Sequence, residues 1–317
     1  MGRAEQVIAP LRRAARWRRP GGSRKPGGDL GTGPPGDTTE LAWARQTRYG
    51  RRATLISVEH LTPTGTLRLA FDVIDEEPFN FLPGQFIGIA QKLPRFGLRK
   101  SPYCLISPPT GQRRFELLVR VVPEGPLSQY LAGLDVGDAI AFRGPTGRSM
   151  APKQSGTELV LFATGVGIGP FLGLIRYLLA VGDPRPIRLF WGLRLAADLC
   201  LLDELDELTR THPAFDYHIS LSQPPAHWGG LRGRITATAP PLVGPPDGKQ
   251  FVLCGNGAMI TETHAALSDL GVPDVRIHRE HYFNSSHRPD ADTVAEVRRQ
   301  FAGHDVPSPI QQLHVVT

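Results

Sequence analysis

The residues best placed to do chemistry in this chain are small ones. In "ATGVGIGPF" (163–171) Gly165, Gly167 and Gly169 alternate with Val166 and Ile168 between two hydrophobic segments, and Pro170 follows at once. Small residues let a backbone turn tightly and approach a phosphate. Pro170 suits the first turn of a helix, where its missing N–H costs nothing. The free amides of such a turn bind an anion. The spacing is not the G-x-G-x-x-G of the dinucleotide fingerprint, yet the turn is competent without that third glycine. The same glycines would serve equally to pack the turn against a sheet, so the stretch alone leaves both uses open.

Other chemistry is easier to exclude than to assign. Cys104, Cys200 and Cys254 are odd in number and far apart. They make no disulfide framework and no C-x-x-C metal pair, and they lack the C-x4-C-x2-C iron–sulfur spacing. This fits a reducing compartment and a chain with no zinc or cluster of its own. The ten histidines are scattered, and no acid–base dyad stands out. His278 and His281 could adjoin a site, but they read more readily as exposed polar residues. No run of about 18 apolar residues is present to span a bilayer, and no apolar h-region follows the basic N-terminus to make a signal peptide. The net charge of +6 is uneven: residues 1–52 carry 12 Lys/Arg against 4 Asp/Glu, and the rest of the chain 24 against 26. The basicity belongs to the leader, so no domain face reads as a nucleic-acid footprint.

The elements that must position these residues fall into two groups. Of the 17 residues from Pro20 to Gly36, 11 are Pro or Gly, so residues 1–52 are expected to be a disordered basic leader. Its "LRRAARWRRP" (11–20) could form a targeting or membrane-surface helix; Glu5 and Pro10 argue against a transit peptide. The expected location is cytoplasmic, with the mitochondrial matrix as the alternative if the leader is such a peptide. Residues 53–152 read as short strands. "TLRLAFDV" (66–73) alternates with Leu67, Leu69, Phe71 and Val73 on one face. "GQFIGIAQ", "FELLVRV" and "DAIAFRG" are similar runs bounded by Pro/Gly turns, the pattern of a small antiparallel barrel. From 157 the pattern changes. "TELVLFAT" is apolar throughout, as a strand buried on both faces must be. It is followed by a helix at about 169–181, "IRLFWG" (187–192), the amphipathic "DLCLLDELDELTR" (198–210), "DYHISL" (216–221), "QFVLCG" (250–255), "AMITETHAALSDLG" (258–271) and "VRIHRE" (275–280). Strand alternating with helix means a parallel sheet, whose ligands lie beyond its carboxyl strand ends. The expected class is β followed by α/β, with the second domain at 157–283 and a polar tail at 284–317 that holds one short helix near 291–302.

The order of barrel, "ATGVGIGPF", "LFWGLR" (189–194), "FVLCGNGAMI" (251–260) and "EHYF" (280–283) resembles the ferredoxin–NADP reductase superfamily over roughly 53–283. The resemblance implies an FAD-binding barrel followed by a nicotinamide-nucleotide-binding domain, with FAD and NAD(P)H as cofactors. Gly165, Val166, Gly167, Ile168 and Pro170, after Thr164, match the family's G-T-G-x-A-P turn, which lies against the nucleotide pyrophosphate. Cys254, Gly255 and Met259 match C-G-x-x-x-M, whose cysteine lies near the nicotinamide; the alternative for Cys254 is a buried strand-end thiol, and the context favours the site. "SPYCLISPP" (101–109) matches the flavin motif R-x-Y-S through Tyr103, whose ring would pack on the isoalloxazine, and the backbone from Cys104 through Leu105 to Ser107 would bond the flavin edge. Two positions depart from the family: Cys104 stands where a serine bonds flavin N5, and Ser101 where an arginine meets the FAD phosphates. A thiol is the weaker donor, and Arg99 or Lys100 would have to supply the cation. "EGPLSQYL" (124–131) matches G-x-x-S-x-x-L through Gly125, Ser128 and Leu131, with Ser128 a good helix start whose amides would face the FAD pyrophosphate. Arg194 would lie near the adenosine ribose, where it could pair a 2′-phosphate that Asp198 would discourage; the resemblance leans slightly to NADH, and the donor is written NAD(P)H. Glu280 and Phe283 match the terminal E-x-F loosely and are candidates for the far flavin face. The implied activity is hydride transfer from NAD(P)H to flavin, with electrons passed to a separate acceptor such as a ferredoxin, an oxygenase component or free flavin. The segment "FWGLR…DLCLLDELDEL" looks most like flavin-reductase and oxygenase-reductase relatives. The rival expectations are a free-flavin reductase and a non-catalytic flavin- or nucleotide-sensing module.

Overall fold

The computed structural model describes residues 49–152 and 156–281. The leader up to residue 48, Phe283 and the expected helix near 291–302 lie outside the described residues.

The first sheet contains β1 (Arg51–His60), β2 (Thr66–Val73), β3 (Phe86–Leu93), β4 (Gly97–Cys104), β5 (Arg114–Arg120) and β6 (Ala139–Thr146), with the short helix α1 (Pro126–Ala132) before β6. The strands pair antiparallel in the order β4-β3-β6-β1-β2-β5. The two outer strands then meet: Leu105, just past β4, bridges Leu117 of β5, and the Ile106 N–H donates to the Glu116 carbonyl at 3.0 Å. The sheet therefore curls into a small barrel. Its inward residues include Leu67, Leu69, Phe71 and Val73, all buried as the alternation requires. Phe79, Phe115 and Phe142 complete the centre, with ring centroids 5.3 to 5.9 Å apart in one tilted and two edge-on packings. Replacing one of these rings by Ala would cost about 3–5 kcal/mol.

Two strands of this sheet carry no clear alternation. β1 begins at Arg51, inside the expected leader. Both its first residues are held in place, because Asp75 accepts from Arg51 Nη2 at 2.9 Å and from the Arg52 N–H at 3.1 Å. β4 holds Arg99, Lys100 and Pro102. Charges and proline suit a terminal strand, and β4 is terminal, pairing along its length with β3.

The second sheet is wholly parallel, in the order β10-β9-β8-β7-β11-β12. Its strands are β7 (Glu158–Thr164), β8 (Ile187–Leu193), β9 (Phe215–Leu221), β10 (Leu231–Arg232), β11 (Lys249–Gly255) and β12 (Ile277–His281). Its helices are α2 (Gly169–Ala180), α3 (Leu202–Thr211), α4 (Ile235–Thr238) and α5 (Gly257–Asp269). Leu159 to Ala163 of β7 are fully buried, which is what a central strand covered on both faces demands. The chain runs outward from β7 to β10 and then returns to place β11 on the other side of β7. That reversal opens a crevice at the carboxyl ends of β7 and β11. The helix expected from 198 starts only at Leu202. Residues 196–198 form a separate tight turn, and Leu201 at φ +61 breaks the path between them. The two sheets share a core, since Ile106, Leu118 and Met150 of the barrel half pack in one cluster with β7 and α2.

Candidate active site

The glycine turn uses its glycines for different purposes. Residues 165–168 make one 3-10 turn between β7 and α2. Gly165 has φ +53, and a Cβ there would point into open space. It is needed for its left-handed backbone, which costs an L-residue about 1–2 kcal/mol. Gly167 is needed for packing, because a Cβ would stand 2.5 Å from the Cys254 carbonyl oxygen. Gly169 lies against Ile106, and Pro170 occupies the first turn of α2. The packing use is thus present at Gly167, while Gly165 serves the turn's own backbone. Trp191 Nε1 donates to the Gly165 carbonyl at 2.9 Å and pins the turn.

Across the crevice, β11 is laced to β7. A side chain at Gly255, at φ +152, would overlap Thr164 Oγ1. That hydroxyl accepts from the Asn256 N–H at 3.3 Å. Asn256 in turn caps α5, its Oδ1 accepting from the Met259 N–H at 2.9 Å.

Above these strand ends lies a cleft of about 680 Å³. Thr164, Gly165, Val166, Arg194 and Met259, all expected site residues, line it. So do several that the sequence reading missed: Trp191, Ser222, Gln223, Arg234 and Asn256 from the same sheet, and Thr66, Leu118 and Arg120 from the barrel opposite. Position could have found Ser222 and Gln223, which directly follow β9, since carboxyl strand ends are where ligands bind. Nothing local in the sequence marks Arg120, which arrives by the docking of the barrel.

Asp198 is placed differently from the expectation. Its Oδ1 accepts from Thr64 Oγ1 at 2.8 Å and pairs with Arg120 at 3.3 Å, and its Oδ2 accepts from the Leu195 N–H at 3.1 Å. The carboxylate is thus committed to the seam between domains; Arg194 and Arg234 also line the cleft, and Arg234 Nη2 pairs with Glu262 at 3.3 Å.

The flavin-motif residues gather at the end of β4. Tyr103 is half-buried against the barrel core, and burial raises its phenol. Cys104 follows, half-buried, and Leu105 and Ile106 are buried. Ser107 Oγ accepts from the Glu116 N–H at 3.2 Å. The register opposes Ser101 to Ile89, Tyr103 to Ile87 and Lys100 to Ala90. Arg99 therefore shares the face of Ser101 and Tyr103, while Lys100 points to the other face, with its ammonium 5.3 Å from the Tyr49 ring. Arg99 stacks on Phe96 at 5.9 Å. Ser128 is the third residue of α1 rather than its cap; Gly125 precedes the helix, and Ser128 Oγ donates to the Gly125 carbonyl at 2.8 Å.

Cys254 is fully buried beneath the crevice, and burial pushes its thiol far up. Burial thus favours the neutral thiol over the thiolate. Glu280 lies opposite it in the β11–β12 register, and His278 Nε2 lies 3.0 Å from Glu280 Oε1. Among the described residues no group of three or more His, Cys, Asp or Glu is arranged to hold a metal, and no helix is long and apolar enough to cross a membrane.

Residues 53–150 match the family model described as Oxidoreductase FAD-binding domain, and residues 161–265 the one described as Oxidoreductase NAD-binding domain. The chain is 32% identical over 238 residues to ferredoxin–NADP reductase B of Sorangium cellulosum, covering 73% of this chain and 96% of that protein. The chain belongs to the ferredoxin–NADP reductase superfamily. A second relative is the ferredoxin–NAD(P)(+) reductase component of the naphthalene 1,2-dioxygenase system of Pseudomonas putida, 27% identical over 233 residues, 73% of this chain and 69% of that one. A solved cytochrome P450 reductase of Amycolatopsis shares the fold with TM-score 0.66 at 30% identity, covering 73% of this chain and 69% of that chain. The barrel is thus an FAD-binding domain and the parallel sheet an NAD-binding domain.

Proposed function

We propose that this FAD-dependent NAD(P)H oxidoreductase is the reductase component of a two-protein chain and hands its electrons to a separate redox protein, a ferredoxin or an oxygenase component. The observation that supports this most is the shape of the cleft. The nucleotide pocket at the strand ends of the second sheet is walled by Thr66, Leu118 and Arg120 of the FAD-binding domain. A dinucleotide held there ends against the flavin half of the molecule.

The residues fit both cofactors, though unequally. For the nicotinamide dinucleotide there is a cradle at Gly165, open where a Cβ would point, and the first-turn amides of α2 to meet a pyrophosphate. Arg194 and Arg234 stand at the adenosine side. Asp198 is paired with Arg120 and Arg234 with Glu262, so Arg194 is the cation offered to a 2′-phosphate, and the donor is NADPH or NADH. For FAD, Tyr103 would offer a flat ring, Cys104 a weak donor and Arg99, on the same strand face as Tyr103, a cation. Bound FAD supplies the acceptor for a hydride from bound NAD(P)H and a store of two electrons for the next carrier. The protein orients the two cofactors, keeps the neutral Cys254 thiol beneath the crevice and excludes water with Leu118 and Trp191. Glu280, opposite Cys254 in the β11–β12 register, would border the far side of the flavin in this reading.

Ser101 favours a second reading. It carries no charge, and the neighbouring cations are held at the Phe96 and Tyr49 rings. Weak hold on FAD would make the chain a reductase of free flavin. The visible spectrum of the purified protein, before and after anaerobic addition of NADH or NADPH, decides between them. A yellow protein bleached by nucleotide supports the first reading, and the faster nucleotide names the donor. A colourless protein that reduces added riboflavin or FMN supports the second. A yellow protein that neither nucleotide bleaches sinks both.

A further inference from the structure

Helix α2 does two things at once. Its N-terminus begins at the glycine turn, and one of its faces lies on the segment after β4. Positions 169, 173 and 176 share that face. A Cβ at Gly173 would stand 3.1 Å from the Leu105 carbonyl oxygen and 3.2 Å from that of Ser107. One turn on, Arg176 Nη1 donates to the Ile106 carbonyl at 3.1 Å and to Glu116 Oε2 at 3.2 Å. Its Nε donates to Glu204 Oε1 at 2.7 Å, and Glu204 also accepts from Arg68 of the barrel at 2.8 Å. The Arg176 side chain is only 18% exposed. It therefore ties three elements together: the 105–107 segment, β5 and α3.

We propose that Arg176 is a positioning residue for hydride transfer. By clamping the Ile106 carbonyl to α2, it fixes the segment that borders the flavin relative to the turn that holds the nucleotide. The two reacting groups are then registered by one rigid helix. This rests on the reading of the chain as an FAD- and NAD(P)H-dependent reductase. A guanidinium suits the task because its planar fork serves several acceptors at fixed angles, which an ammonium does only in part.

The test uses the FAD-loaded protein in anaerobic stopped-flow reduction over a range of nucleotide concentrations. Arg176→Met is expected to slow reduction at saturating nucleotide by about tenfold or more, since small misplacements of reacting groups are costly. The nucleotide Kd should move by less than about threefold, because the binding contacts themselves remain. Arg176→Lys should recover part of the rate. In the cofactor-free protein, amides of 104–107 should exchange hydrogen faster in Arg176→Met than in wild type, with β8 and β9 unchanged. A saturating rate equal to wild type, a loss confined to Kd, or unaltered exchange at 104–107 would overturn the proposal. If neither nucleotide reduces the wild-type protein, the reading of its function fails and this inference with it. If wild type is reduced and Arg176→Met keeps pace, only this inference fails.

Discussion

Each glycine of the turn makes a separable demand. Gly165 needs a left-handed backbone but has room; Gly167 has an ordinary backbone but no room. Gly165→Ala is expected to cost about 1–2 kcal/mol, the conformational penalty alone. Gly167→Ala must move the end of β11, whose carbonyl lies 2.5 Å from the added carbon. It should cost more than Gly165→Ala, beyond about 2 kcal/mol. Urea midpoints of the two variants check the order. Equal losses would mean that β11 yields easily and that the contact constrains little. The sequence gives no way to make this distinction, because three alternating glycines look alike until the neighbouring strand is in place. Cys254 is similar. Its position after an apolar run marks a strand end, but only the folded sheet shows the thiol fully buried.

The elements were legible where the period was clean. β2, β5, β7, β8, β11, α2 and α5 all follow from apolar spacing. β1 and β4 were not, for a physical reason. Charged residues occupy them, and their order comes from partners distant in sequence. Arg51 is the clearest case. Its guanidinium lies 5.2 Å from the Phe79 ring and 5.4 Å from that of Phe142, while it bonds Asp75 at 2.9 Å and the Glu77 carbonyl at 3.0 Å. Burial alone would raise the Asp75 carboxyl, but the Arg51 guanidinium and the Arg52 and Glu77 N–H groups outweigh it and hold the carboxyl below its ordinary value. The unfolded chain therefore takes up this proton at higher pH than the folded one. The stabilisation is complete above roughly pH 4 and is lost as pH falls through the folded value. Asp75→Asn is expected to lower stability at neutral pH and to flatten the decline of the thermal midpoint between about pH 4 and pH 2. An unchanged acid slope would show that the Arg51–Asp75 knot does not hold β1.

At the scale of the molecule, the sequence reads as two domains and the structure answers with a shared core. Ile106, Leu118 and Met150 are buried by the α/β half. Around them the seam is tied by Arg68 and Arg176 to Glu204, by Arg176 to Glu116, and by Thr64 and Arg120 to Asp198. Interfaces between domains of one chain usually permit relative motion unless they are large and apolar. Here the apolar centre is continuous with the core of the second sheet, so separating the halves would expose it outright. The described body is therefore expected to unfold in one calorimetric transition with equal calorimetric and van't Hoff enthalpies. The seam pairs are partly buried, and partly buried pairs are screened much less than surface ones, so 0.5 M salt (about a 4–5 Å Debye length) should not split that transition. Leu118→Asp should lower and split it, because Leu118 packs in the core shared by the two halves and a carboxylate removes that apolar contact. Two transitions in the wild-type chain would show instead that the halves move independently. The cleft would then be assembled by closure on the nucleotide rather than standing preformed at the strand ends.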